Sequence, residues 1–222
     1  MPIFPSTALA SLGEPFQGSS MGTTFDHEDA LSGIVAGVDE VGRGPWAGPV
    51  VACAVILDRD KVPDGLADSK TLTANRREVL ADQVRATACV GIGVVSVAEI
   101  DAPGVGIGRA TLIAMERAID ALPLRPDGAV IDGLMLPRCP GVAMQAMPRA
   151  DASSASVAAA SIVAKVHRDA TMTALAVDFP YYGWDRNKGY GTAEHARALD
   201  AHGITAHHRR SFAPIARRLA VP

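Results

Sequence analysis

The stretch GVDEVGRGPWAGPVV, residues 37–51, determines how the first part of this chain folds. An apolar, valine-rich run ends in two adjacent acids, Asp39 and Glu40, and a turn rich in glycine and proline leads into a second apolar run. Short apolar runs bounded by such turn residues are typical of buried strands. The stretch therefore predicts two strands, 33–41 and 49–57, connected by a hairpin-like loop, with both carboxylates at the end of the first.

Further apolar runs extend this pattern along the chain. A third strand is predicted over residues 89–97, so the first three strands form an antiparallel meander, and two shorter strands follow at 128–132 and 142–147. Helix formers and apolar residues at helical spacing predict helices over residues 71–87, 109–122, 152–177, 193–201 and 214–219. This order of elements predicts an α/β fold.

Length and composition are those of a globular protein. At 222 residues, 48% hydrophobic and 20% charged, the chain is expected to form one main domain. We expect residues 1–30, rich in Pro, Ser and Gly, to be a flexible extension. Residues 31–180 are predicted to form the main domain, and residues 181–222 a basic helical segment that packs on it.

The sequence excludes several classes of protein. The three cysteines are far apart and form no C-x-x-C pair, which argues against a disulfide framework or a zinc site. No apolar window reaches the roughly 18 residues of a membrane span, and the N-terminus lacks the positive start of a secretory signal. We therefore expect a cytoplasmic monomer without membrane contact.

Charge is distributed unevenly. Residues 186–218 contain seven Lys or Arg residues and two acids. Such a segment suits contacts with phosphates, although a solvated helical face gives the same pattern. The acidic cluster DHED at residues 26–29 has the composition of a metal site, but we interpret it as a solvated segment before the first strand.

Four acids lie at or near predicted strand ends: Asp39, Glu40, Asp132 and Asp151. Carboxylates in such positions can hold hard divalent cations, because the backbone fixes their oxygens while the following loops leave room for water and substrate. Without a cation, carboxylates brought together raise one another's pKa values through like-charge repulsion. The set predicts a metal or a shared proton, although any one of these acids alone fits a turn or helix-cap role better.

This hypothesis needs a particular geometry at two points. Adjacent residues on a regular strand point to opposite faces, so we expect the turn at Gly42 and Gly44 to bring Glu40 round to the other acids. The strands before Asp132 and Asp151 are joined by about nine residues, which is short for a parallel crossover. The four acids can therefore meet only if those strands are parallel with a compact loop, or if the chain bends.

A dinucleotide-binding unit is an alternative for the middle of the chain. The glycines of GVGIG, residues 104–108, precede a helix, and Asp132 ends the next strand. The third glycine comes one residue early for the G-x-G-x-x-G pattern, and residues 98–103 separate the strand from the turn. We therefore interpret these glycines as a loop and the start of a helix. The sequence contains no pattern typical of a phosphate loop or of covalent catalysis.

A set of longer segments carries a family resemblance. They follow one another from about residue 34 to the C-terminus: GVDEVGRGPWAGPVVACAVIL, GLADSKTLTANRRE, VIDG, ADASSASVAAASIVAKVHRDA, FPYYGWDRNKGYGTAEH and HHRRSFAPI. In this order and spacing they resemble bacterial ribonuclease HII. The resemblance implies an RNase H-like fold, with a mixed five-stranded sheet flanked by helices and a C-terminal helical extension. It also implies a metal-dependent endoribonuclease that cuts on the 5′ side of a ribonucleotide.

The resemblance further implies the partners and the site. The substrates would be RNA·DNA hybrids and DNA duplexes that contain ribonucleotides, and the four acids would hold two Mn²⁺ or Mg²⁺ ions. The family's glycine-arginine-glycine turn falls on Gly42, Arg43 and Gly44. Small residues there would let the backbone approach the 2′-hydroxyl that distinguishes RNA from DNA, although a tight turn alone would also require glycine.

Three further residues match the family's substrate contacts. A tyrosine that senses the RNA–DNA junction falls on Tyr190, and Lys70 and Lys188 match positions that we assign to substrate phosphates. The sequence departs from the family at Leu134, where Asn is frequent, and lacks the Lys or Arg that often follows the acid at Asp151.

Other functions remain compatible with these residues. One is another RNase H-like nuclease, such as a junction resolvase or an enzyme restricted to long hybrids, and a second is a hybrid-binding module without activity. The complete acid set argues against a pure binder, because carboxylates repel the phosphates of a bound nucleic acid. The sequence does not identify a contact with a replication clamp or a polymerase.

Overall fold

A computed structural model describes residues 23–220 of the chain. Its one sheet has the strand order β3-β2-β1-β4-β5, with β1 (Val35–Val41), β2 (Val50–Ile56), β3 (Cys89–Val95), β4 (Gly128–Asp132) and β5 (Ala143–Met147). β2 pairs antiparallel with β1 and β3, whereas β4 pairs parallel with β1 and β5. The predicted meander and the mixed five-stranded sheet are confirmed.

Helices cover both faces of the sheet. Within the described residues they are α1 (Asp26–Asp29), α2 (Ala74–Thr87), α3 (Val97–Ile100), α4 (Gly106–Asp120), α5 (Ala155–Asp178), α6 (Trp184–Asn187), α7 (Ala193–His202) and α8 (Ala213–Leu219). α4 packs on one face against the first three strands, and α5 packs on the other face, with α2 beside it. The two long helices enclose β1 and β2, which is why β2 is apolar throughout and β1 is apolar up to Asp39.

The central strand β1 places the first acids against α5. Ala36 and Val38 face the core under α4, so Gly37 and Asp39 face α5. A Cβ atom at Gly37 would overlap the backbone of Ser156 in the first turn of α5. Glycine therefore lets the start of this helix lie directly on β1, two residues before Asp39.

The second half of the sheet has the compact parallel pairing that the acids require. β4 and β5 are in parallel register from Gly128 opposite Ala143 to Asp132 opposite Met147. β3 and β4 are not neighbours, since β2 and β1 lie between them, so the segment from β3 to β4 does not form a dinucleotide-binding unit of adjacent strands.

Helix boundaries follow local capping. α5 begins at Ala155, three residues later than predicted, because residues 150–152 form a 3₁₀ turn and Ser154 accepts a hydrogen bond from the amide of Val157 as the N-cap. α4 begins at Gly106, three residues earlier than predicted. Neither difference changes the order of the elements.

The chain is folded before residue 31. Residues 1–22 lie outside the described residues, so the prediction of a flexible extension stays untested there. Residues 26–29 form α1, and Glu28 is buried, whereas we interpreted this cluster as solvated. Thr24 forms a parallel bridge with Ser154 beside the start of α5. Part of the predicted extension therefore belongs to the domain.

The C-terminal segment packs on the loop that follows β1. The amide of Trp46 donates to the carbonyl of Gly189 at 2.8 Å, and the amide of Arg209 donates to the carbonyl of Trp46 at 2.8 Å. Trp184 lies at the centre of an aromatic and aliphatic cluster formed by these C-terminal helices. Among the described helices, none has the length and hydrophobicity to span a membrane.

Candidate metal centre

Three of the four predicted acids meet at the end of β1 and β4. Carboxylate oxygens of Asp39, Glu40 and Asp132 all lie within 4.8 Å of one another. The parallel register places Val38 beside Ile131, so Asp39 and Asp132 lie next to each other on neighbouring strands. The sheet itself therefore brings these two carboxylates together.

Glu40 reaches the same point from the other face of the sheet. It stays in regular register opposite Ala52 within β1, so the prediction that the glycine turn redirects Glu40 is wrong. β4 ends at Asp132, so no further residue of that strand separates Glu40 from the other two acids. In addition, Asp39 Oδ1 accepts a hydrogen bond from the amide of Glu40 at 2.7 Å, which bends the Asp39 carboxylate towards its neighbour.

The electrostatic state of the three acids is unfavourable in the absence of a cation. Burial raises the pKa of Asp39 well above its ordinary value, and repulsion from Glu40 and Asp132 raises it further. Burial also raises the pKa of Glu40, although Arg43, whose Nη1 lies 3.4 Å from Glu40 Oε1, partly opposes this effect. Burial raises the pKa of Asp132 as well. A divalent cation among these oxygens would remove the repulsion.

The fourth acid, Asp151, is nearby but is paired with a lysine. Asp151 lies in the 3₁₀ turn before α5, is buried, and accepts a hydrogen bond from Lys70 Nζ at 3.0 Å. Lys70 is itself largely exposed, with 78% of its side chain accessible. The ammonium group thus lies at the edge of the acid cluster, where it neutralises Asp151 and remains able to move.

The turn that carries Asp151 is fixed to the acid cluster through the backbone. The amide of Ala150 donates to Asp132 Oδ1 at 2.7 Å, which leaves the other carboxylate oxygen of Asp132 for a ligand. The open space beside the acids, about 360 Å³ in volume, is also lined by Lys70, Lys165 and Tyr190. Lys165 was missed in the sequence, because its position beside the acids follows only from the packing of α5.

The two glycines of the predicted turn, Gly42 and Gly44, differ in whether the fold itself requires glycine at their position. Gly42 has a φ of +93°, and a Cβ there would overlap the buried side chain of Arg168, so the fold alone requires glycine at this position. At Gly44 the closest atom to such a Cβ would be Cε1 of Tyr190, at an ordinary contact distance of 3.6 Å. The structure thus brings Gly44 and Tyr190 together, and Gly44 itself is exposed.

The shape of the turn is maintained by two buried arginines that the sequence analysis did not identify. Arg209 donates to the carbonyls of Gly42 at 2.6 Å and of Arg43 at 3.0 Å, as well as to those of Gly48 and Pro49. Arg168 donates to the carbonyls of Pro49, Ala47 and Lys188. Burial lowers the pKa of Arg209 to about 9, so its guanidinium remains charged at neutral pH.

Lys188 and most of the basic C-terminal segment do not converge on the acids. Lys188 Nζ donates to Thr173 Oγ1 and to the carbonyl of Asp185, both at 2.7 Å. Arg186 pairs with Glu194, and Arg218 pairs with Asp200. Arg209, one of the seven cations in this segment, is fully buried and contacts backbone carbonyls, so it is not available to phosphates.

The donor set fits a hard divalent cation. Its members are carboxylate oxygens, two of them at the ends of parallel strands, and Mg²⁺ and Mn²⁺ prefer such ligands. The mixed five-stranded sheet, the strand-end acids and the flanking helices together define a metal-dependent nuclease of the RNase H-like class.

Comparisons with known proteins identify the family within this class. The family model for ribonuclease HII matches residues 36–215. A ribonuclease HII from Jannaschia sp. is 56% identical over 201 residues, which cover 90% of this chain and 99% of the relative. A ribonuclease HII from Rhodospirillum rubrum is 54% identical over 87% of this chain and 90% of its own length. The chain belongs to the ribonuclease HII family and is a metal-dependent ribonuclease of type 2.

Solved structures agree with this assignment. The ribonuclease H2 from Pyrococcus horikoshii superimposes with a TM-score of 0.71 at 25% identity, covering 83% of this chain and 96% of that one. The ribonuclease HII of the PCNA:RNase HII complex from Archaeoglobus fulgidus gives a TM-score of 0.69 at 28% identity, covering 81% and 95%. The fold is also shared with Bst-RNase HIII, whose structure contains Mn²⁺, at a TM-score of 0.66, 21% identity and coverages of 97% and 76%.

Proposed function

We propose that this enzyme hydrolyses the phosphodiester bond on the 5′ side of a ribonucleotide, in RNA·DNA hybrids and in DNA duplexes with embedded ribonucleotides. The products are a 3′-hydroxyl and a 5′-phosphate. The observation that carries the proposal is the convergence of Asp39, Glu40 and Asp132 within 4.8 Å, beside an open space that Tyr190 also lines and next to which Gly44 lies.

The acids hold the metal in this proposal. Asp39, Glu40 and Asp132, together with Asp151 in the neighbouring 3₁₀ turn, would hold the ions. When bound, Mn²⁺ or Mg²⁺ ions lower the pKa of the attacking water and stabilise the charge that develops on the leaving oxygen.

Cationic side chains guide the scissile phosphate to the acids. Lys70 is exposed, and its ammonium lies 3.0 Å from Asp151, so a small rotation of its side chain transfers it from that carboxylate to a phosphate oxygen. Arg43 is half exposed beside Glu40 and can contact the neighbouring phosphate. The ammonium group of Lys188 is already bound to Thr173 and to the carbonyl of Asp185, away from the acids. We therefore assign Lys188 to a more distant phosphate of the duplex and not to the scissile group.

Recognition of the ribonucleotide falls to the turn and the tyrosine. Gly44 is exposed and lies beside Tyr190, so its backbone polar groups can reach a 2′-hydroxyl, which is both a donor and an acceptor. The ring of Tyr190 is 45% exposed and can stack on the adjacent sugar. A deoxyribose there leaves room for the ring, whereas an additional hydroxyl crowds it.

The proposal also covers the location of the enzyme and its partners. We place the enzyme in the cytoplasm as a monomer, where its nucleic-acid substrates occur. The archaeal neighbour was solved in a complex with PCNA, and a contact between this chain and a replication clamp is proposed by analogy alone. Size-exclusion chromatography with and without the clamp tests the monomeric state and the contact with the clamp.

Cleavage of a defined duplex tests the function. An end-labelled DNA duplex with one ribonucleotide is incubated with the enzyme, with Mn²⁺ or Mg²⁺ and with EDTA, and the cut is mapped to one nucleotide. We expect a single metal-dependent cut on the 5′ side of the ribonucleotide, and no cut in an all-DNA duplex. Cleavage of a branched all-DNA junction, with none of the ribonucleotide duplex, would contradict the proposal.

A further inference from the structure

The acidic cluster before the first strand contains a carboxylate with an unusual environment. Glu28, in α1, is only 4% exposed, and its side-chain hydrogen bonds go to residues more than 100 positions away in the chain. Its Oε1 accepts hydrogen bonds from Ser154 Oγ at 2.7 Å, from the amide of Ser156 at 3.0 Å, and from Ser156 Oγ. These donors form the N-cap and first turn of α5.

The environment of Glu28 is not that of an ordinary ion pair. Among residues 23–220, no donor reaches its second oxygen, Oε2, which is buried. Arg59, on the same side of the molecule, pairs with the neighbouring Asp29. The positive end of α5 favours a carboxylate at this place, but burying one oxygen without a partner costs free energy. The described contacts of this carboxylate with the start of α5 are therefore all made through Oε1.

The segment that Glu28 holds is the one that carries Asp151. The amides of Ser153 and Ser154 donate to the carbonyl of Ala150 at 3.0 and 2.8 Å. The amide of Ala150 in turn donates to Asp132 Oδ1 at 2.7 Å. A continuous chain of hydrogen bonds thus runs from Glu28 through the 3₁₀ turn to one of the converging carboxylates.

A second contact from the same N-terminal segment fixes this turn from the other side. The amide of Thr24 donates to the carbonyl of Ser153 at 2.8 Å, and the amide of Ala155 donates to the carbonyl of Thr24 at 2.9 Å. The start of α5 is therefore enclosed between β1, at Gly37, and the residues of the N-terminal segment. These contacts leave the turn little freedom to move relative to β1 and β4.

We propose that Glu28 is a positioning residue for the metal centre: by anchoring the start of α5 it sets where Asp151 lies and, through the amide of Ala150, how the Asp132 carboxylate is oriented towards Asp39 and Glu40. The inference rests on the proposed function, because it takes these acids to be the metal ligands. Some residues do not bind the metal but hold its ligands in place. Removing such a residue typically lowers metal affinity or activity by roughly 10- to 100-fold. Glu28 would act in this way through the backbone of the turn.

Mn²⁺ affinity of the folded protein, measured by isothermal titration calorimetry, tests this inference. We expect Glu28→Ala to weaken Mn²⁺ binding at least about tenfold. Glu28→Gln keeps an acceptor oxygen for the serine donors, so its affinity should remain close to that of the unchanged protein. Asp29→Ala is the matched control, since Asp29 lies in the same short helix and is exposed, and it should leave the affinity unchanged.

The titration is made well below the melting temperature of each variant, so a loss of stability alone does not change the affinity. If Glu28→Ala lowers the melting temperature but binds Mn²⁺ as tightly as the unchanged protein, the positioning role is refuted. Should Glu28→Ala fail to fold, Ser156→Ala removes one donor to Oε1 and must still weaken Mn²⁺ binding, and unchanged affinity there also refutes it. Metal binding and cleavage by the unchanged protein test the proposed function separately.

Discussion

Two groups of charged side chains, one partly and the other fully buried, meet at the end of β1, and their surroundings are opposite. On one side, Asp39, Glu40 and Asp132 place like charges within 4.8 Å of one another, and burial and repulsion raise the pKa of Asp39. On the other side, Arg168 and Arg209 are fully buried, but each guanidinium donates to several backbone carbonyls of the loop after β1.

The difference separates a functional group of charges from a structural one. Burial of charge is common to both, so burial alone does not identify an active site. The arginines are satisfied by neutral acceptors and need nothing more, whereas the carboxylates repel one another until a cation joins them. A cluster of like charges that lacks compensating partners within the fold therefore marks a site that requires a ligand.

The largest effect should come from a change within the acid cluster. Asp39→Asn removes one negative ligand, and we expect cleavage to fall by about a thousandfold or more while binding of the duplex is nearly unchanged. Single-turnover cleavage and a filter-binding titration measure the two quantities. Activity of Asp39→Asn equal to that of the unchanged enzyme would remove Asp39 from the metal site.

Substitution of a buried arginine should lower the stability of the protein. Arg209→Met leaves several buried carbonyls without donors, so the free energy of unfolding should fall by about 3 kcal/mol. Arg210→Met is the matched control, because Arg210 is the next residue and its side chain is exposed; its effect should be within about 0.5 kcal/mol. Urea unfolding of both proteins makes the comparison. Equal stability of the two would mean that the carbonyl contacts of Arg209 contribute little.

The acid cluster should also make stability depend on pH. Burial and repulsion raise the pKa of Asp39 above its ordinary value of 3.8 in the folded protein. Its stabilising contribution is therefore present below about pH 4 and is lost as the pH rises through the raised folded value. Without metal, the free energy of unfolding should decrease through this window.

Saturating Mn²⁺ should reverse the decrease, by about 2.7 kcal/mol at a concentration one hundred times the dissociation constant. Urea unfolding at several pH values, with Mn²⁺ and with EDTA, measures both effects. The same series on Asp39→Asn is the control and should show a smaller dependence on pH. Stability of the unchanged protein that is independent of pH and Mn²⁺ would contradict the account of the cluster as unsatisfied.

A smaller effect is expected at Lys70, which pairs with Asp151 and is proposed to contact a substrate phosphate. Lys70→Met removes a cation that competes with metal for Asp151, so less Mn²⁺ should be needed for half-maximal activity, by at most about fivefold for so exposed a pair. The KM for the duplex should rise, because a phosphate contact is lost. Lys61→Met, which changes an exposed lysine paired with Asp58, is the control. A parallel increase in both quantities would mean that Lys70 does not compete with the metal.

A further effect is expected in recognition of the ribonucleotide. Tyr190→Ala should reduce cleavage of a duplex with one ribonucleotide by roughly tenfold, as expected for the loss of one stacking contact, and should change the melting temperature little. Tyr181→Ala provides a control, since Tyr181 is also exposed, at 62%, but stacks on His202 in the C-terminal helices. A large decrease in the melting temperature of Tyr190→Ala would indicate a packing role instead.

The sequence was sufficient for the sheet and for the acids, because both depend on local patterns. Five apolar runs predicted the five strands, and strand ends predicted three acids that meet. The geometry of Glu40 was not predictable in the same way, because the end of β4 decides it, and the sequence of β1 does not record where a neighbouring strand stops.

Charged residues buried by tertiary packing were the main failure. Arg209 belongs to a basic segment that we assigned to phosphate contacts, and Glu28 to a cluster that we interpreted as solvated. Neither has a local pattern that distinguishes it from exposed charge, since the partners of each are more than 100 positions away in the chain. Such residues become recognisable only when their acceptors or donors are in place.

Diffraction from a crystal containing Mn²⁺ tests the central claim most directly, because the anomalous signal locates the ion without reference to activity. The account predicts a peak coordinated by oxygens of Asp39, Glu40 and Asp132, and a second peak at Asp151 once substrate draws Lys70 away. Mn²⁺ bound elsewhere, with Asp39, Glu40 and Asp132 left without an ion at saturating concentration, would contradict it.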